Sequence, residues 1–420
     1  MSALRVAVLT HGFAEWGGGI DLIRQLALAL DSCAGEADIS ATCLVLPSND
    51  LHAWARQTLR RVRAIGDSLK GKNSHRGVRS EHEGRGRVLA ALGDLSHRLP
   101  FECHGGSTMV AQLRCAERAG AEIAFPCIEV PGYSEDISWV GYLYDFQHRY
   151  LPEFFTDKER LRRDFAFERM LHAGVHVLVN SRAVVEDARK FFPGFTSTVH
   201  ALPFSPCPQK EWLEDDVDPR PKYGLRRPYF MISNQFWIHK NHALAFRAFA
   251  RFLESQDGVD LVCTGNTGDY RFPGYFADLQ KLVLSLGVSD HLKILGHLDK
   301  REQIALMKHA SAVIQPTLFE GGPGGGAAHD AVALGVPLIA SDIPVNREID
   351  TGDVRFFPAH DECGLAELLS GVELIEHRQL DRQGLWLTGL ERRKASGRVL
   401  VKLLKEATRD ARGKTAGAAA

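Results

Sequence analysis

The stretch Phe319-Glu320-Gly321-Gly322-Pro323-Gly324-Gly325-Gly326-Ala327-Ala328-His329-Asp330 sets a carboxylate on either side of five glycines. Lacking side chains, Gly324, Gly325 and Gly326 leave backbone amides open to a phosphate or to sugar hydroxyls. Glu320 and Asp330 are acceptors for paired hydroxyls. Glycines at this density cost conformational entropy, which favours a ligand-binding loop over an incidental surface turn. A second stretch, Ser233-Asn234-Gln235-Phe236-Trp237-Ile238-His239-Lys240-Asn241-His242, carries Lys240 just ahead of a helix, where its ammonium would neutralise a diphosphate. His239 and His242 lie three apart without a further spaced ligand set, so no metal site is expected. In the third, Gly17-Gly18-Gly19, Gly18 and Gly19 would let an anion meet the amides of a helix start. A turn that needs positive φ accounts for the same glycines equally well. Gly322-x-Gly324-x-x-Ala327, with Asp342 twenty residues after Gly322, matches a dinucleotide fingerprint, but the glycines fall well past the preceding strand and the match stands alone. Gly413-Lys414-Thr415 is not a phosphate loop, because position 408 is Thr and no strand precedes it.

The elements around these stretches alternate between short apolar strands and amphipathic helices, the α/β pattern. In the first half, strands are expected at Leu4–Leu9, Ala41–Leu46, Glu122–Cys127, Trp139–Tyr144 and His176–Asn180, with a helix presenting Ile20, Ile23, Ala27 and Leu30. In the second half they are expected at Tyr229–Ser233, Asp260–Thr264, Leu292–Leu295, Ser311–Gln315 and Val336–Ala340. Helices are expected near Tyr275–Leu286, Lys300–Ala310 and Ala327–Leu334, and one with Ala245, Phe246, Phe249, Phe252 and Leu253 on a single face. The proline-rich, acidic Pro203–Arg227 reads as an exposed interdomain connection. The expected architecture is two doubly wound domains enclosing a ligand between the carboxyl ends of their strands. Residues 1–205 would form the first domain, 206–227 the linker and 228–395 the second. Residues 396–420 would add a helix and a disordered tail.

Composition narrows the function. Lys+Arg 51 against Asp+Glu 52 gives a formal charge of −1, which excludes a globally basic nucleic-acid binder. Mean hydropathy is −0.16, and no apolar run approaches the roughly 18 residues of a membrane span. The N-terminus lacks the long apolar region and cleavage site of a signal peptide. The eight scattered cysteines read as buried free thiols, so the expected location is cytoplasmic. Residues 56–87 hold ten Lys/Arg against three acids. A solvated insertion is the favoured reading; the functional alternative is contact with an anionic acceptor or the inner face of a membrane.

With these residues in hand, the chain resembles the retaining, nucleotide-sugar-dependent glycosyltransferases of the GT-B fold, family 4 (glycosyltransferase group 1). The resemblance runs from Gly17–Gly19 to at least Pro344. It is strongest over Leu295-Gly296-His297-Leu298, Gln315–Gly321 and Ala333–Asp342. It implies that Glu320 contacts the donor sugar, Asp330 the ribose, Lys240 the diphosphate and the backbone at Leu298 the base. The loop between the two acids is two residues longer than the family's usual seven, and Asp330 stands where Glu is usual. Gln235 stands where an Arg is usual, so loop amides or another cation must replace that charge. A subset of the family shares Ser-Asn-Gln-Phe-Trp-x-His-Lys-Asn-His together with Tyr144-Asp145-Phe146-Gln147-His148-x-x-Leu151-Pro152-Glu153-Phe154-Phe155. Asp145 or His148 would then be the polar group near the reacting centre, although a helix-start histidine bonded to backbone explains His148 nearly as well.

The implied reaction moves a hexose from a nucleotide-diphosphate-sugar to a saccharide or lipid-linked acceptor with retention. It needs no cofactor and no metal, and its expected setting is surface polysaccharide or glycoconjugate assembly. A nucleotide-sugar epimerase on the same fold, a nicotinamide oxidoreductase and a non-catalytic binding subunit are the competing readings.

Overall fold

A computed structural model describes residues 3–13, 17–36, 39–45, 89, 92–95, 101–102, 108–132, 137–351 and 353–418; the basic segment 56–87 lies outside them. The first sheet holds β1 (Leu4–Leu9), β2 (Ile39–Val45), β3 (Phe101–Glu102), β4 (Ile123–Cys127), β5 (Ser138–Leu143), β6 (His176–Val179) and β7 (Thr198–Ala201). Its order is β3-β2-β1-β4-β5-β6-β7. The second holds β8 (Tyr229–Ser233), β9 (Asp260–Thr264), β10 (Leu292–Gly296), β11 (Ala312–Gln315), β12 (Leu338–Ser341) and β13 (Val354–Phe357), in the order β10-β9-β8-β11-β12-β13. Every pairing is parallel. Parallel strands are covered by helices on both faces, so they read as continuous apolar runs: Val6 to Leu9 and Tyr229 to Ile232 have no appreciable exposure. Both sheets follow the doubly wound order, which reverses between β1 and β4 in the first and between β8 and β11 in the second.

The longer helices are α1 (Gly17–Asp31), α2 (Met109–Arg118), α3 (Asp157–Leu171), α4 (Arg182–Phe191), α5 (His242–Leu253), α6 (Tyr275–Leu286), α7 (Lys300–His309), α8 (Gly325–Ala333), α9 (Glu362–Ser370) and α10 (Arg382–Ala418). On α5 the expected face is the buried one: Ala245, Phe246, Phe249 and Phe252 are all at or below 1% exposure and pack on Phe230, Ile232 and Leu261. Burying each such phenylalanine contributes about 1.5–3 kcal/mol. On α3 a capping box between Thr156 and Glu159 fixes the start.

Three expectations change. The 203–227 stretch does not run free: Leu213 and Leu225 are buried in a core of the second domain, and Lys308 on α7 donates to the Trp212 and Asp215 carbonyls. It carries short helical turns at Lys210–Glu214 and Arg220–Tyr223 whose apolar side chains pack inward. The tail is helical through Ala418, and α10 returns to the first domain. There Leu400, Leu403, Leu404 and Ala407 join Val6, Val8, Leu26 and Leu30 in one core. Gly397 permits the crossing, since a Cβ there would sit 2.1 Å from the Ala29 carbonyl oxygen of α1. Finally, Cys33, Cys115, Cys127 and Cys263 are buried as expected, but Cys207 is half-buried and Cys363, on α9, is exposed.

Candidate functional site

The site grows from the place where the second sheet reverses. Asn234, one residue beyond β8, donates from Nδ2 to Gln315 Oε1 at the end of β11, at 2.6 Å. Gln315 is fully buried and spends its own amide hydrogens on Glu320 Oε1 (3.1 Å) and the Gly324 carbonyl (2.7 Å). Lys240 completes the chain with an ion pair to Glu320 Oε1. The two charged side chains are only 13% and 11% exposed, so this pair is screened far less than one on the surface. The side-chain types of Asn234 and Gln315 signal nothing by spacing. Only the adjacency of β8 and β11 makes them partners.

The glycine loop folds over this pair. Gly324 and Gly325 adopt φ of 59° and 60°, a region closed to most side chains. The Gly324 amide donates to the buried Asn346 Oδ1 at 2.8 Å, and Asn346 in turn donates to the Ser341 carbonyl at 2.9 Å. A Cβ on Gly325 would lie 3.3 Å from Glu320 Oε2, so glycine lets the carboxylate rest against the start of α8. Gly326, exposed in the first turn of α8, faces open space. Its amide is among the helix-start donors that favour an anion.

Asp330 is buried on α8. Burial raises its carboxyl pKa, against the pull of Lys300, whose Nζ lies 2.5 Å from Oδ2. Burial likewise works against the charge on Lys300, but Asp330 and Asp21 outweigh it and hold the ammonium above its ordinary pKa. Asp21 comes from the first domain, on α1 just after Gly18 and Gly19. The protein crowded round it raises its pKa, opposed by Lys300 and reinforced by Asp330, although one side of the residue meets solvent. The triglycine is not a turn ahead of the helix: α1 begins at Gly17, with Gly18 exposed and Gly19 buried.

The first domain supplies the opposite wall. A Cβ on Gly321 would fall 2.5 Å from the Tyr144 carbonyl oxygen and 2.8 Å from Asp145 Cβ, and one on Gly322 would fall 3.3 Å from Asn180 Cβ. Ser181 Oγ donates to the Gly321 carbonyl at 3.3 Å. Asp145 thus touches the glycine loop, while its Oδ1 also accepts from the Gln147 amide at 3.0 Å. His148 is held by α3, where Arg163 also lies 3.5 Å from Asp145 Oδ1. It is 1% exposed, with Nε2 2.8 Å from Asp164 and Nδ1 3.5 Å from Arg163, both on α3. Burial lowers its pKa despite Asp164. Leu298 is half-buried against the core that holds Leu306 and Val313.

Gln235 is exposed. A cation that the sequence reading missed lies nearby: Arg271, after β9, has its guanidinium 5.4 Å from the Trp237 ring and 5.4 Å from the Phe155 ring of the other domain. Phe154 likewise packs edge-on to Phe272 at 5.2 Å. The two sequence stretches singled out on separate domains therefore meet across the cleft.

Residues 218–376 match the family model described as Glycosyl transferases group 1, and these are the residues that carry the Lys240–Glu320 pair and the glycine loop. The second domain is a glycosyl transferases group 1 domain. The O-antigen chain mannosyltransferase RfbU of Salmonella typhimurium is 24% identical over 237 residues, 56% of this chain and 60% of that protein. Among solved structures, a glycosyltransferase from Rickettsia africae superposes with a TM-score of 0.56 at 11% identity, covering 98% of this chain and 97% of that one. Anabaena HepE, solved in complex with UDP and glucose, superposes at 0.54 and 13% identity, covering 97% and 99%. At such identities the likeness fixes the fold, which is GT-B: two Rossmann-like domains across a cleft. No described helix is long and apolar enough to cross a membrane.

Proposed function

We propose that the chain is a retaining, metal-independent glycosyltransferase that moves a hexose from a nucleotide-diphosphate-sugar to a saccharide or lipid-linked acceptor, in assembly of a surface polysaccharide. The observation that carries this reading is the part-buried Lys240–Glu320 pair, seated on Gln315 beneath the start of α8 at the sheet reversal. A diphosphate entering there meets an ammonium and the Gly326 amide in the first turn of α8, the Gly324 and Gly325 amides being held by Asn346 and the Gly322 carbonyl, and releases Glu320 to hydrogen-bond the sugar. The bond from the anomeric carbon to the diphosphate oxygen breaks as the acceptor oxygen bonds to the same face, and the acceptor proton passes to the departing phosphate oxygen. Catalysis then rests on positioning and on charge stabilisation by Lys240, the α8 amides and Arg271. Asp330 and Lys300, locked together, would fix the ribose side.

The mannosyl activity in the name of the Salmonella relative and the UDP and glucose bound in the Anabaena structure support a hexosyl donor on a nucleoside diphosphate. A thermal-shift panel of UDP, GDP, ADP and dTDP, with NAD as control, identifies the nucleotide. A ligand that binds only the folded chain at a hundredfold excess over its dissociation constant adds about 2.7 kcal/mol of stability. A shift with one diphosphate, followed by donor consumption only when acceptor is present and without dependence on added Mg²⁺, is the expected result. Consumption without acceptor would favour the epimerase, and a response to NAD alone would overturn the proposal.

A further inference from the structure

The second concentration of titratable side chains lies at the opposite end of the first sheet from the cleft. His176 opens β6, whereas Asn180 and Ser181, just beyond its other end, face the glycine loop. In the parallel register His176 stands opposite Thr198 and Leu178 opposite His200, so the two histidines are diagonal neighbours on one face. Their rings stack at 5.0 Å with an interplanar angle of 18°, and His176 Nδ1 lies 2.9 Å from His200 Nε2. α10 closes over them, and one ligand atom each from His176, His200 and Glu406 lie within 4.8 Å of one another. One turn further along α10, Asp410 Oδ2 lies 3.1 Å from His176 Nε2.

That last contact decides the tautomer. A carboxylate accepts the Nε2–H of His176, which leaves the Nδ1 lone pair directed at His200. Histidine ligands of metals are oriented by carboxylates in this way. We propose that His176 Nδ1, His200 Nε2 and the Glu406 carboxylate form a zinc-type divalent cation site, with Asp410 as the residue that orients His176. Two imidazole nitrogens and a carboxylate oxygen suit Zn²⁺, with a water in the fourth position. At metal–ligand distances of about 2.0–2.2 Å, tetrahedral ligand atoms stand roughly 3.3–3.6 Å apart. The histidine pair opens slightly and Glu406 closes in, while the proton now shared by the two ring nitrogens moves to His200 Nδ1. Lys402, one turn before Glu406 on the same face, is exposed, so its charge is largely screened by solvent. The bound ion joins β6, β7 and the returning α10, and so fixes the far end of the helix that starts on the second domain. The ligands are 24 and 206 residues apart in the chain, a spacing that no linear motif reveals.

The test is calorimetric titration of the chelator-treated full chain with ZnCl₂, beside His200→Ala and Glu406→Gln. Wild-type protein should take up one zinc equivalent that both variants lose, and zinc should raise the melting temperature of wild type alone. Substituting Co²⁺ should give the visible absorption of a low-coordinate, histidine-bound ion, absent from His200→Ala. Glu406 is half-buried on an outer helix face, so Glu406→Gln carries the test even where His200→Ala fails to fold. Wild type that binds no zinc, or variants that titrate as wild type does, would overturn the site.

Discussion

Lys240 and Glu320 neutralise one another within the cleft, and that pairing shapes what each substitution does. Lys240→Ala leaves a low-exposure carboxylate without its cation and removes the group placed to meet the leaving diphosphate. Turnover should fall by about 10²–10³, the range seen when one preorganised charge-stabilising donor is removed, while nucleoside binding weakens less. Comparing kcat with the nucleoside diphosphate Kd checks this, and unchanged kcat would remove the role. Glu320→Gln keeps a neutral side chain near Gln315 and frees the ammonium, so diphosphate binding should be retained or tighten as transfer is lost. The pair was foreseeable as two separate candidates. Their contact was not, because 80 residues separate them and only the packing of β8 beside β11 closes the gap. His148 shows the converse: its residue type suggested chemistry, but an aspartate on α3 claims one ring nitrogen and an arginine the other.

At the scale of elements, the glycine loop and α8 separate backbone demand from ligand demand. Gly324→Ala should destabilise the domain by more than about 2 kcal/mol, since it needs a left-handed conformation and puts a Cβ 2.1 Å from that of Ala328. Gly326→Ala meets nothing within 4 Å, so the melting temperature should hold. A loss of donor affinity in that variant would then mark where the ligand lies. The turn into α5 carries a pH dependence. Burial first, and Lys240 second, lower His239 to about 2 and His242 to about 3. Both stay neutral in the fold while the unfolded chain takes up protons below about pH 6.5. Stability is therefore fully present above that pH and is lost as pH falls from there toward 3. Between pH 7 and pH 5 each histidine contributes up to about 2 kcal/mol of this loss. His242→Phe, which keeps the stacking on Phe236, should remove about half of the pair's contribution to the fall in melting temperature over that interval; an unaltered slope would disprove the assignment.

For the molecule as a whole, one short turn of backbone joins the donor loop to the meeting of the domains. Within Asn346–Glu348, Asn346 holds the Gly324 amide while Glu348 accepts from the Arg182 and Ala183 amides at the start of α4, at 2.9 and 2.7 Å. A carboxylate at a helix N-terminus is favourable, and here it belongs to the opposite domain. Glu348→Ala should loosen closure: the radius of gyration in small-angle scattering should rise and the donor KM should increase, with the circular dichroism spectrum retained. A variant as compact as wild type, with unaltered KM, would show that closure does not depend on this contact.

Local periodicity and composition were enough for the α/β class and for the strands that carry the loops, and they pointed to residues that the fold places at the cleft. Those properties depend on each residue's near neighbours: alternating burial, glycine at a strand end, a lysine before a helix. Tertiary structure alone decided which candidates touch, because the parallel sheet places residues tens of positions apart side by side. It paired Lys240 with Glu320 and Asp330 with Lys300, set Arg271 between aromatic rings of both domains, and tied His148 to α3. It also returned α10 to the first domain, where burying Leu400, Leu403 and Leu404 against α1 removes an apolar face from water. No linear pattern specifies which partner such a face will choose.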